Sequence, residues 1–175
     1  MTFCVQNIDI RPISRGKINS SKNKCEFSLT KLIEEIIEDF QVRIESNGYI
    51  INKRLQEVTI YSVLEDIELI IINLIDNAVK YNVGKRIDIN LYKEEGNIVF
   101  SIINKCGNFP KDIKDKLLEP FIKYNSYKDI SKEISSSGLG LYLCKELAYE
   151  NYGELFYEIN EGKINFILKF DLDKG

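Results

Sequence analysis

The spacing of apolar residues divides the chain into helical and extended segments from Cys25 onward. Leu29, Leu32, Ile33, Ile36, Ile37 and Phe40 recur at intervals of three and four, which predicts an amphipathic helix with Ser28 as its N-cap. Cys25-Glu26-Phe27 leads into it as a short extended piece, and Asn47-Gly48 ends it in a turn. Tyr49–Arg54 and Val58–Val63 read as strands. A second helix is expected from Glu65 or Asp66 to about Tyr81, closed by Gly84. Ile87, Ile89 and Leu91 then alternate with Asp88, Asn90 and Tyr92, and after Glu94-Glu95-Gly96-Asn97 the chain continues over Ile98–Ile103, a hairpin with a longer loop. Pro110 suits the first turn of a short helix reaching Leu118. A third main helix runs from Gly138 to about Asn151, with Leu139, Leu143 and Leu147 on one line and Gly153 as C-cap. Leu155–Ile159 and Ile164–Leu172 form a second hairpin. Blocks of helices and antiparallel strands define the fold class as α+β: a two-layer α/β sandwich, its mixed, mostly antiparallel sheet covered on one face by three helices.

Two stretches break the pattern. Residues 1–25 are polar and contain Pro12, Gly16 and Asn19-Ser20-Ser21-Lys22-Asn23-Lys24, the composition of a linker or poorly ordered tail. The expected domain is therefore 26–175. Residues 122–137 are rich in lysine and serine and lack periodicity, and so long a loop inside a compact domain usually serves a function.

Composition narrows the chemistry. The chain has 175 residues, enough for one domain, with 44% hydrophobic and 29% charged residues, which excludes disorder, collagen-like repeats and disulfide scaffolds. No apolar run is long enough to span a bilayer, and the first residues carry no signal-peptide pattern. Cys4, Cys25, Cys106 and Cys144 are scattered without a CxxC pair, so neither a zinc site nor a disulfide framework is expected. There is no histidine, which removes Ser-His and Cys-His catalysis and any phosphohistidine carried by this chain. A net charge of −3 does not point to nucleic acid. Its distribution says more: residues 1–25 hold five basic side chains against Asp9, residues 26–68 hold ten acids against four bases, and residues 105–132 hold seven lysines against four acids. The last of these is either a solvated surface or a cover over an anionic ligand.

Three segments carry candidate chemistry. At about 100° per residue, Asn73, Asn77 and Lys80 fall in one narrow stripe of the second helix, joined by Asp66 two turns earlier. This is either a solvated stripe or a metal-phosphate ligand set, since two amide oxygens and an ammonium suit a hydrated Mg²⁺ and the phosphates it bridges. Ser136-Ser137-Gly138-Leu139-Gly140-Leu141 opens the third helix, where glycines let the backbone approach an anion and the helix start offers free N–H groups. No strand precedes it, no third glycine follows at the dinucleotide spacing, and GK[ST] is absent, so neither the Rossmann nor the Walker fingerprint applies. The alternative is a plain loop into a well-packed helix. In Asn104-Lys105-Cys106-Gly107-Asn108-Phe109-Pro110 an amide at a strand end either pairs with a polar heterocycle or caps the turn.

In this order, with Glu119-Pro120-Phe121 between the last two, the segments resemble the ATP-binding catalytic domain of bacterial sensor histidine kinases, within the Bergerat-type ATPase fold shared with gyrase, Hsp90 and MutL. Asn73–Tyr81 matches the family's N-box, Asn104–Pro110 its first glycine box, Glu119–Phe121 its phenylalanine box and Ser137–Leu141 its second glycine box, over roughly residues 26–172. The resemblance implies ATP and Mg²⁺ as cofactors, Asn77 as the principal metal ligand assisted by Asn73, Lys80 on the phosphates and Tyr81 lining the nucleotide. It implies that Asn104 accepts from the adenine amino group and that Gly107 and Phe109 also contact the nucleotide. It also places Lys123 at the phosphate tail, residues 122–137 as a lid, and Ser137, Gly138, Leu139, Gly140 and Leu141 around the phosphates. Two positions depart from the family pattern. Asn104 replaces the aspartate that binds the adenine amino group, giving an acceptor without charge assistance, about 1–2 kcal/mol weaker. Ile164 stands where a threonine is often found.

The resemblance also separates members of the fold. Water-activating ATPases and anti-sigma serine kinases place a glutamate four residues before the metal-binding asparagine, as the general base that water or serine requires. That position here is Asn73, which takes no proton, and neutral imidazole needs little beyond positioning. The implied reaction is transfer of the γ-phosphoryl group to a histidine outside this chain. The implied partners are a histidine-bearing dimerisation domain, upstream or in trans, and a response regulator, with this piece itself monomeric and cytoplasmic. The competing readings are a non-catalytic docking module on the same sandwich and an anti-sigma-like serine kinase.

Overall fold

In the computed structural model residues 23–107, 111–122 and 138–171 are described. Strand β1 (Cys25–Ser28) delivers the chain to helix α1 (Leu29–Asp39), whose first turn is capped as expected: Ser28 Oγ accepts the Lys31 N–H at 3.2 Å. The expected single helix up to Asn47 is in fact two. The Phe40 N–H turns back to both Ile36 and Glu38, which tightens the last turn of α1, and α2 (Gln41–Ser46) restarts beyond it and buries Ile44. Gly48, with φ +65°, then makes the turn into β2 (Ile50–Leu55). β3 (Thr59–Ser62) precedes α3 (Leu64–Tyr81), and β4 (Arg86–Glu94), β5 (Asn97–Lys105), the single turn α4 (Lys111–Lys114), α5 (Gly140–Glu150), β6 (Gly153–Asn160) and β7 (Lys163–Asp171) complete the order.

The main sheet has the order β2-β4-β5-β7-β6, with β2 parallel to β4 and the remaining pairs antiparallel, so it is mixed and mostly antiparallel as expected. β3 does not join it; it pairs with β1 in a separate two-stranded ribbon. Alternation decides which side of the sheet is buried. Ile87, Ile89 and Leu91 of β4 stand opposite Asn104, Ile102 and Phe100 of β5, and these face Ile164, Phe166 and Leu168 of β7. That face packs into one apolar cluster with Leu29, Ile33 and Ile36 of α1, Ile67, Ile70, Ile71 and Leu74 of α3, and Cys144, Leu147 and Ala148 of α5. Burial of each large aliphatic chain contributes about 1.5–3 kcal/mol. Asn104 is the polar residue among these facing rows of β4, β5 and β7.

Several local expectations change. The β4–β5 hairpin has no long loop: Glu95 and Gly96, at φ +49° and +77°, form a two-residue turn, and Glu161-Gly162 repeats it between β6 and β7. Gly84 does not close α3. The helix stops because Asn82 turns extended, its Oδ1 accepting the Gly84 N–H at 3.0 Å. The third main helix starts at Gly140, not Gly138, and its left-handed exit residue is Tyr152 (φ +59°), not Gly153. Gly153 instead opens β6 where a Cβ would lie 2.8 Å from the Phe170 ring. The short helix expected to reach Leu118 ends at Lys114 and continues as turns, while Pro110, residues 123–137 and Leu172 lie outside the described residues. No described helix is long and apolar enough to cross a membrane.

Candidate nucleotide site

Helices α3 and α5 lie antiparallel, and two contacts fix their register. At one end Asn151, just past α5, donates Nδ2 to Asp66 Oδ2 at 3.0 Å and to the Leu147 carbonyl at 2.9 Å. Its Oδ1 accepts from Ser62 Oγ at 2.7 Å and the Val63 N–H at 3.3 Å. All three side chains of this lock are buried, so Asp66, although it shares the stripe of Asn73 and Asn77, serves the packing of the helices at the end remote from the site. At the other end Asn73 meets the start of α5. Its Nδ2 donates to the Leu69 carbonyl at 2.8 Å, and its Oδ1 points at Gly140, where a Cβ would lie only 2.9 Å away. The third helix therefore starts with glycine because the carboxamide oxygen occupies the space a side chain would take.

Beyond Asn73, α3 continues past the start of α5 and carries Asn77, Lys80 and Tyr81. Asn77 is half-buried and its amide makes no hydrogen bond among the described residues. Leu139 precedes α5 without a side-chain cap, so the helix start presents backbone N–H groups and the positive end of its dipole beside Asn73. Gly138, at φ +71°, is pressed against the Ile122 carbonyl, 2.8 Å from where its Cβ would be, and its own carbonyl accepts the Phe121 N–H at 3.0 Å. The two chain ends flanking residues 123–137 are thus bonded together beside the start of α5. Leu141 packs against the core and anchors the first turn of α5. At the sheet end, Asn104 is buried on the helix-facing side between Ile87 and Ile164, its Nδ2 donating to the Lys105 carbonyl at 3.3 Å. Gly107 follows it. Phe109, Lys123 and Ser137, expected at the site, lie outside the described residues.

Lys80 is engaged. Its Nζ lies 2.9 Å from Asp76 Oδ2, while Arg43 Nη1 from α2 lies 2.7 Å from Asp76 Oδ1. Burial alone raises the Asp76 pKa, but the hydrogen bonds from Lys80 and then Arg43 outweigh it and hold the carboxyl below the usual carboxylate range. Sequence reasoning passed over this pair, although an acid four residues ahead of a lysine on a helix is its visible signal. Arg43 had no such signal, being 33 residues away. Cys106 and Cys144 are buried free thiols, and burial pushes Cys144 up to about 12, which leaves it inert.

Among the described residues no three His, Cys, Asp or Glu side chains gather into a metal site. The donor set that fits a divalent ion is the pair of carboxamides: Asn73 has its N–H₂ end tied to backbone and its oxygen turned into a cradle that a Cβ would fill. Such a set suits Mg²⁺, which keeps most of its water and shares phosphate oxygens.

The fold is thus a three-helix layer over a mixed sheet, with Asn73 of α3 set against the glycine-led start of α5. The chain belongs to the histidine kinase-, DNA gyrase B- and HSP90-like ATPase family, whose model matches residues 62–174. It is 32% identical over 173 residues to the sensor protein KdpD of Clostridium acetobutylicum, covering 93% of this chain and 18% of that protein. To the histidine protein kinase SaeS of Staphylococcus aureus it is 29% identical over 132 residues, 73% of this chain and 37% of that one. The chain thus spans well under half the length of these relatives. The solved catalytic domain of histidine kinase ThkA superposes with a TM-score of 0.73 at 22% identity, covering 87% of this chain and 99% of that domain, and ThkA has also been solved in complex with the response regulator protein TrrA.

Proposed function

We propose that this domain binds Mg-ATP between α3 and α5 and transfers the γ-phosphoryl group to a histidine outside the chain. The observation that carries the reading is the Asn73 carboxamide oxygen set against the side-chain-free start of α5, a neutral oxygen ligand beside the first backbone N–H groups of that helix. Asn77 and Asn73 would hold the Mg²⁺, which when bound neutralises the charge on the phosphates. The α5 N–H groups, with Gly138, Leu139, Gly140 and Leu141, would donate to phosphate oxygens, and Lys80 would supply the mobile positive charge. Asn104 would offer the adenine amino group an acceptor, with Gly107 and Tyr81 lining the nucleotide, and by the family pattern Phe109 would join them. By the family pattern, Lys123 and Ser137 would contact the phosphates.

Asn73 is also the reason the acceptor is a histidine. A hydroxyl nucleophile requires a base at this position, and a carboxamide takes no proton, whereas neutral imidazole attacks with its own lone pair. The acceptor belongs to a histidine-bearing dimerisation domain and the phosphoryl group passes on to a response regulator, the kind of partner seen with ThkA. The domain over residues 26–175 would act on the cytoplasmic side, with residues 1–25 as the connecting segment.

Calorimetric titration of ATP with and without Mg²⁺, on the parent and on Asn77→Ala, tests the binding. Saturable, Mg²⁺-dependent binding lost in the variant is expected, and a parent that does not saturate defeats the reading in favour of a docking module. Incubation with a dimerisation domain should then yield an acid-labile, alkali-stable phosphoryl product; phosphoserine on a partner would identify a serine kinase instead.

A further inference from the structure

Lys80 stands between two claims on its charge. Taking Asn73 as the reference direction on α3 at about 100° per residue, Asn77 lies about 40° to one side, Lys80 about 20° to the other, and Asp76 about 60° to that same side. The ammonium is therefore placed between the carboxamide pair and the Asp76 carboxylate, and it rests on the carboxylate, 2.9 Å from Oδ2. An ammonium held there is withheld from a phosphate. Asp76 has a second cation on its other oxygen, Arg43 Nη1 at 2.7 Å, and Arg43 comes from α2. Its guanidinium lies over the Phe40 ring, 5.2 Å from the centroid, which keeps the fork oriented in the absence of any ligand.

We infer that Arg43 is a positioning residue for phosphate binding: by neutralising Asp76 it lets Lys80 leave the carboxylate for the triphosphate. The inference rests on the nucleotide reading given under Proposed function. Without Arg43, departure of Lys80 would leave an unpaired carboxylate on the helix that also carries the phosphate ligands, and its charge would oppose the incoming polyanion. With Arg43 in place the carboxylate remains paired, and the planar fork can take both oxygens once Lys80 has gone. One carboxylate shared by two cations thus keeps one of them exchangeable. All three groups are partly exposed, with side-chain exposures of 48% for Arg43, 26% for Asp76 and 29% for Lys80, so the effect is a few-fold one.

The experiment is a double-substitution cycle read as Mg-ATP affinity by calorimetry on the whole chain: parent, Arg43→Gln, Asp76→Asn, both together, Arg43→Lys as the conservative rescue, and Lys80→Ala as the benchmark for loss of the lysine. Arg43→Gln is expected to weaken binding about two- to five-fold. Arg43→Lys should stay within about two-fold of the parent, because the cation is kept. Asp76→Asn should bind as well as or better than the parent, and Arg43→Gln should have no further effect on that background. Equal weakening by Arg43→Gln on both backgrounds, or none on either, overturns the inference. So does an Asp76→Asn variant that loses as much affinity as Lys80→Ala, which would mean that the carboxylate aims the lysine instead of withholding it. These failures are separable from failure of the nucleotide reading. A parent that binds ATP and loses it on Asn77→Ala, yet ignores Arg43, defeats this inference alone, whereas a parent that never saturates defeats both.

Discussion

Replacing Gly140 by alanine separates the two roles that the start of α5 combines. The backbone there is ordinary for an L-residue, so alanine gains helix propensity of about 0.5–1 kcal/mol over glycine. Against this, the new methyl would lie 2.9 Å from Asn73 Oδ1, so the carboxamide must turn away. In turning it gives up the 2.8 Å bond from its Nδ2 to the Leu69 carbonyl, a loss of about 0.5–1.5 kcal/mol for a partly exposed pair. The two terms nearly cancel, and the net change in stability stays within about 1 kcal/mol, which for a domain of this size is a shift in Tm of about 2–4 °C. The Asn73 oxygen, however, no longer faces the cleft, so Mg-ATP affinity falls by about tenfold or more, the loss of one charge-assisted contact of about 1.5–3 kcal/mol. Thermal melting of the unliganded domain beside a nucleotide titration reads both quantities. A fall in Tm of more than about 8 °C with unchanged affinity would refute the reasoning, since glycine would then be needed for packing and not for the site.

Three further outcomes follow from the same geometry. Gly138→Ala places a Cβ at positive φ and 2.8 Å from the Ile122 carbonyl, a backbone atom that cannot swing aside, so thermal melting should show a loss of about 1–3 kcal/mol. Asn151→Ala removes the buried acceptor of Ser62 and Val63 N–H and the donor to Asp66, and denaturant unfolding should report a loss of about 2–4 kcal/mol, larger than for any exposed asparagine. The Asp76 carboxyl is depressed in the folded state, so its contribution is present above the unfolded carboxylate value near 4 and is lost as pH falls through the lower folded value; Asp76→Asn should flatten the acid limb of the stability profile by less than about 1 kcal/mol while leaving it unchanged at pH 7 and above apart from the lost pair.

Much of the fold was legible because its signals are periodic and local. Leu29 to Phe40 and the Ile-rich stretch of α3 each repeat at the helical interval over several turns, and Ser28 caps a helix by a bond within three residues, so neither depends on distant partners. Element ends were less legible. Tyr152 adopts the left-handed exit expected of Gly153 because Gly153 must lie flat beneath the Phe170 ring, a requirement set by a strand that begins ten residues later. The break at Phe40 likewise shows no proline or glycine in the sequence.

The candidate site divides along the same line. Sequence by itself determined that two carboxamides and a lysine share a helical stripe and that a glycine-led helix follows, because both facts lie within single elements governed by the α-helical period. It also determined that position 73 offers no base and that the chain offers no histidine. Tertiary structure alone decided that Asn73 meets Gly140, 67 positions apart, that Asp66 is spent on Asn151 at the far end, and that Arg43 reaches across from α2 to Asp76. The physical reason is that a side chain's partner is chosen by which faces the core brings together. Burying the apolar sides of α3 and α5 against one sheet sets their register, and that register assigns each polar residue on the shared seam either to the packing or to the site.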